Sequence, residues 1–104
     1  MATYILLSNL TDEGAKTVKS KPARIQEVNQ ELERLGARVT AQYAVLGPYD
    51  FVSVVEAAST TTIARVSAEL ASRGTVKITT LPAIGIDEFV RGLSEEVRAT
   101  RSKK

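Results

Sequence analysis

The sequence predicts an α+β fold, and three observations carry that prediction. Four runs, 3–9, 37–45, 51–57 and 75–81, have the length and the β-branched or aromatic content of strands. Ile25, Val28, Leu32 and Leu35, and again Ile63, Val66 and Leu70, recur at the spacing of one buried helical face. The order of these segments is β-α-β-β-α-β with a further periodic stretch at the end. That is the split βαββαβ pattern of ferredoxin-like folds, with a four-stranded antiparallel sheet and a C-terminal helix.

Each element has a local cause. The first strand ends at Ser8 and Asn9. Thr11 then offers a helix cap, with Asp12 and Glu13 in the first turn, where acids suit the helix dipole. Gly14 and Pro22 interrupt the pattern, so a short helical piece precedes the main helix, which Gly36 stops. Between the second and third strands, Gly47-Pro48 forces a turn that presents Tyr49 and Asp50 at the hairpin tip. Ser59 to Thr62 supply several caps for the next helix, which ends near Gly74. Pro82 is expected to end the fourth strand. Ile86, Phe89, Val90, Leu93 and Val97 form the stripe of a C-terminal helix of about three turns.

Composition narrows the function. The chain has 104 residues, 43% hydrophobic and 25% charged, enough for one two-layer core. Residues 1–97 are expected to form a single domain, with 98–104 as a basic, fraying tail. A net charge of +2 is too small to imply nucleic acid, and no aromatics interleave a basic face. Without Cys or His there is no disulfide framework, no thiol chemistry and no Ser-His-Asp machinery. A metal site would need clustered carboxylates at ligand spacing, and no phosphate-binding glycine loop is present. The apolar start, 1–7, lacks a basic flank and a long apolar core, so it reads as a strand and not a signal peptide. No run approaches the ~18 apolar residues of a membrane helix. The expectation is a cytoplasmic protein with no cofactor, no metal, and no nucleic-acid or membrane partner.

The strands carry one further signal. A sheet covered by helices on one side alternates apolar and polar residues. Here Ile5 and Leu7 point one way and Tyr4 and Leu6 the other, and Val52 and Val54 oppose Phe51 and Val55. Two helices cover only one face. A second apolar face left in water would be an unusual patch, so a neighbouring subunit's sheet or the C-terminal helix is expected to cover it.

The segments Ala2-Thr3-Tyr4-Ile5-Leu6-Leu7, Leu10-Thr11-Asp12-Glu13-Gly14 and Leu46-Gly47-Pro48-Tyr49-Asp50-Phe51-Val52, with the Thr-rich last strand, resemble the GYD-domain family, short bacterial and archaeal proteins. The resemblance covers about residues 2–90. It implies a ferredoxin-like fold that pairs sheet to sheet as a dimeric α+β barrel, and it implies no activity. A weaker similarity runs to the effector-binding domain of feast/famine transcription regulators, whose DNA-binding helix-turn-helix this chain lacks.

The candidate residues follow from these faces. Tyr4, Leu6, Phe51 and Val55 are the expected interface with a partner sheet. On the same face, Ser8, Ser53, Lys77 and Thr79, with Tyr43 nearby, would line a small-molecule site. The competing reading is that the hydroxyls bond across strands and Lys77 reaches solvent. Tyr49 could orient a ligand, and Asp50 could hold one, but Asp50 beside a Gly-Pro turn is better suited to bonding backbone N–H groups. The favoured function is a non-enzymatic module that binds a small molecule or oligomerises with itself as a homodimer or larger assembly. The alternatives are a cofactor-independent monooxygenase-type enzyme of the dimeric α+β barrel class and a purely structural self-assembly subunit.

Overall fold

The computed structural model describes the backbone of residues 1–102 and the side chains of residues 1–95. The elements run β1 (Ala2–Leu10), α1 (Asp12–Ser20), α2 (Arg24–Leu35), β2 (Ala37–Ala44), β3 (Phe51–Ala57), α3 (Thr60–Ala71), β4 (Val76–Ala83) and α4 (Ile86–Ser102). The sheet is antiparallel in the order β2-β3-β1-β4, the ferredoxin-like arrangement. The two α-helical crossovers lie on one face, α2 over β2 and α3 over β4.

The core sits between that face and the helices. Tyr4 and Leu6 from β1, Val55 and Ala57 from β3, Leu32 from α2, and Ile63, Val66 and Leu70 from α3 are all buried. Full burial of each branched aliphatic side chain contributes ~1.5–3 kcal/mol. Helix ends are satisfied locally. The Thr11 hydroxyl accepts from the Gly14 N–H (3.1 Å), and the Ser59 hydroxyl accepts from the Thr62 N–H (3.2 Å).

The structure corrects two boundaries. β4 does not end before Pro82 but runs through it to Ala83, with Pro82 opposite Tyr4. β4 is an edge strand, where a residue without an N–H breaks no ladder. The C-terminal helix is longer than three turns: α4 has 17 residues and its backbone is helical to Ser102. The backbone of 98–102, within the expected tail, continues this helix, while Lys103 and Lys104 lie outside the described residues. Among the described residues, α4 packs substantially on none of the other elements. Projecting from the body, it gives a radius of gyration of 17.2 Å and extents of 63 × 29 × 20 Å, against ~13 Å for a compact chain of this size.

The join between β1 and α1 is the tightest in the fold. Thr11 donates its N–H to the Thr75 carbonyl (3.0 Å) and its hydroxyl to the Gly74 carbonyl (2.8 Å). This draws the first turn of α1 onto the start of β4. Gly14 is buried there, and a Cβ on it would overlap the Thr75 carbonyl oxygen, which is backbone and cannot swing away. We predict that Gly14→Ala destabilises the fold by about 1–3 kcal/mol, the range of overpacking. Gly92→Ala, on α4 with nothing within 4 Å, should be neutral or stabilising by up to ~1 kcal/mol. Thermal melts of the two variants check this; equal melting temperatures would contradict it.

Candidate functional site

The residue types singled out in the sequence divide between the two faces of the sheet. Tyr4, Leu6, Ser53 and Val55 are buried beneath this chain's own helices, at 2, 3, 5 and 0% exposure. The Tyr4 hydroxyl pairs with the Thr60 hydroxyl at the start of α3 (3.0 Å). Phe51, on the same face, lines a cavity within the chain. The expected interface set of Tyr4, Leu6, Phe51 and Val55 is therefore the helix-covered face, and the face assignment is inverted. The reason is physical: β1 and β3 are apolar on both sides, so alternation shows two apolar faces without saying which one the helices take.

The expected small-molecule site also splits. Ser8 and Ser53 share the helix-covered face and line the same cavity. Lys77 pairs with Asn9, Thr79 with Leu7, and Tyr43 with Val52, which puts all three on the opposite, helix-free face. There Ile5, Leu7, Val52 and Val54 form an apolar centre, half-buried only by their neighbours, with Leu81 and Tyr43 exposed beside it. Arg38, Glu56 and Lys77 stand around this centre. No described helix packs across it. A second apolar surface lies on α4, where Ile86, Phe89, Val90 and Leu93 are each at least half exposed.

The cavity has a volume of about 190 Å³ and lies between the inner sheet face and helices α1 and α2. Its walls are mostly aliphatic, including Leu6, Ile25, Val28, Val39 and Ile78, with Phe51 as the aromatic. Its polar groups centre on a network that the sequence reading missed. Asn29 of α2 donates to the Gln42 side-chain carbonyl (2.8 Å), and the Gln42 amide donates back to Asn29 (3.4 Å) and to the Ser53 hydroxyl (3.1 Å). Gln42 faces inward only because of a register shift between Val39 and Ala41, where Thr40 is the extra residue of a bulge. The one available signal was Asn29, which stands four residues after Ile25 on the inward side of α2.

Charged residues border the cavity as well. Glu31 bridges Arg24 of α2 (3.1 Å) and Arg73 beyond α3. The Arg73 hydrogen bond is the main cause that holds the Glu31 carboxyl below its ordinary range, with Arg24 adding to it, and the same pairing raises the Arg73 guanidinium. Since the folded-state value is lowered, the bridge's contribution is present above the ordinary glutamate range and lost as pH falls through the folded value. Glu27 is lowered likewise, first by Lys21 and then by Arg24.

The hairpin tip closes one end of the sheet. The Val45 N–H donates to the Asp50 carbonyl (2.9 Å), and Gly47 takes φ 118°, a conformation that favours glycine. Pro48 fixes the next backbone angle. The Asp50 N–H donates to the Ser8 carbonyl (2.9 Å), and its carboxylate accepts from the Leu10 N–H (2.8 Å). The carboxylate thus ties the hairpin to the end of β1. Tyr49 is half-buried at this tip. Among the described residues no group of His, Cys, Asp and Glu is arranged to hold a metal, and no helix is long and apolar enough to cross a membrane.

Residues 4–93 match the GYD domain family, and the chain belongs to that family. It is 60% identical over 94 residues to a Thermus thermophilus protein named "Glutamine synthetase and cystathionine beta-lyase binding protein", covering 89% of this chain and 99% of that one. Among solved structures, its fold is similar to that of TTHA0845, also from Thermus thermophilus. The TM-score is 0.53 at 24% identity, over 82% of this chain and 95% of that chain.

The Gly-Pro-Tyr-Asp tip yields a prediction that separates shape from charge. Asp50→Asn keeps an oxygen that accepts from the Leu10 N–H and should cost well under ~1 kcal/mol. Asp50→Ala leaves a part-buried donor without its partner and should cost about 1–3 kcal/mol. Chemical denaturation of both variants checks this. An Asn variant as damaged as the Ala variant would contradict it and show that the negative charge itself is required.

Proposed function

We propose that this chain is a non-enzymatic binding module that pairs with a second copy through the helix-free sheet face and docks on metabolic enzymes. The observation that carries this reading is the apolar centre of Ile5, Leu7, Val52 and Val54, which no described element of the chain covers. A second copy is the fitting occupant, because a two-fold axis lays like residues against like and forms a closed two-sheet core. Each copy would then be helix-covered outside and sheet-covered inside, as in a dimeric α+β barrel. The 60% identical relative supports the second half of the proposal, since its name gives glutamine synthetase and cystathionine beta-lyase as what it binds. The exposed stripe of Ile86, Phe89, Val90 and Leu93 is suited to such a partner as a helix laid into an apolar groove.

Light scattering after size exclusion at micromolar concentration tests the pairing. The wild type should run as a dimer or larger, and Val54→Asp should run as a monomer, because an unpaired charge in an apolar interface costs several kcal/mol. A monomeric wild type, or a Val54→Asp variant that still pairs, would contradict the proposal. Phe89→Asp should keep the pairing and weaken binding to purified glutamine synthetase by about tenfold or more, read by biolayer interferometry. Unchanged binding would take α4 out of the partner surface.

A further inference from the structure

We infer that the cavity between the inner sheet face and α1–α2 is a binding site for a small, neutral, mostly hydrocarbon molecule carrying one carbonyl oxygen. Size comes first. At about 190 Å³ the cavity exceeds the ~150 Å³ apolar cavity that takes up benzene, so it accommodates one ring with a short substituent. Walls such as Val28, Ile78 and Phe51 supply dispersion contact and little polarity.

The hydrogen-bond inventory then selects the polar end. A serine hydroxyl has one proton to donate. Ser53 is buried, and its oxygen accepts from Gln42, but among the described residues no acceptor takes its proton. The Ser8 hydroxyl, on the cavity wall and half-exposed, has no side-chain hydrogen bond among those residues. Ser8 and Ser53 lie on adjacent strands of the same face, with Leu6 opposite Ser53, so they are diagonal neighbours. The side-chain carbonyls of Asn29 and Gln42 each accept from the other's amide, and neither takes a serine proton. The two serine protons are therefore the donors left open toward the cavity, and a ligand carbonyl oxygen is suited to accept them.

Charge disfavours a carboxylate. An ion in this cavity would need a cationic partner to offset its lost hydration. Arg24 and Arg73 are the cations on the wall, and both already pair with Glu31. The ligand is thus a ketone, aldehyde, ester or amide of modest size. This site lies on the opposite side of the sheet from the proposed pairing face, so either proposal can fail without the other.

The test titrates the full chain with acetophenone, and separately with ethylbenzene, while recording two-dimensional amide NMR spectra. Acetophenone should bind saturably, with a dissociation constant at or below about 1 mM, and shift the amides of Ser8, Ser53 and Val28. The near-isosteric double variant Ser8→Ala/Ser53→Ala should weaken acetophenone on the order of tenfold and leave ethylbenzene unchanged. Absence of saturable binding by acetophenone to the wild type overturns the site, and that arm needs no variant. Loss of both ligands alike, or of neither, overturns the carbonyl recognition. Val28→Trp, which fills the cavity, should abolish binding of both; retained binding would place the ligand elsewhere.

Discussion

A four-stranded sheet has two faces, and α2 and α3 cover one of them. The central strands β1 and β3 are apolar on both. One set, Tyr4, Leu6 and Val55, meets the helices and closes the core. The other, Ile5, Leu7, Val52 and Val54, has no cover from the described residues of this chain, because α4 leaves the body instead of folding back. Burying apolar area at ~25 cal/mol per Å² is the largest favourable contribution open to such a surface. The proposed pairing with a second copy follows from that mismatch between one-sided helical cover and two-sided apolar strands.

The helix-covered side carries a different arrangement. Its centre is packed, but its end toward α1 holds open space with mostly aliphatic walls and a few polar groups. Two sequence-local devices set that end. Thr11 and Gly14 bring α1 down onto Thr75, and Asp50 ties the hairpin tip to Leu10. Both devices engage backbone groups in distant parts of the chain. They fix where α1 and the β2–β3 hairpin stand, and therefore the walls within which Ser8 and Ser53 lie.

Much of the fold was legible in the sequence. The helical faces at Ile25–Leu35 and Ile63–Leu70, the Thr11 cap and the Gly47-Pro48 turn are local signals, and the structure carries each where the pattern put it; of the several caps offered by Ser59 to Thr62, it uses Ser59. The orientation of the sheet was not legible from hydrophobicity, because Ile5 and Leu7 are as apolar as Tyr4 and Leu6. Charge held the answer: Glu56 shares a face with Val52 and Val54, and Lys77 with Thr79 and Leu81, and a helix-covered face would not take them. The bulge at Thr40 left no such trace, since one inserted residue reverses every later side chain of β2 without changing composition. That is why the Asn29–Gln42–Ser53 network was missed. Likewise the stripe of α4 specified a helix but not its docking place.

The most direct test of the central claim is a filtered NOE experiment on a mixture of isotope-labelled and unlabelled protein, which reports only contacts between copies. The account predicts intermolecular cross-peaks among the methyl groups of Ile5, Leu7, Val52 and Val54. Their absence from these residues in a sample that is dimeric, or intermolecular contacts from the methyls of Leu6 and Val55 instead, would contradict it.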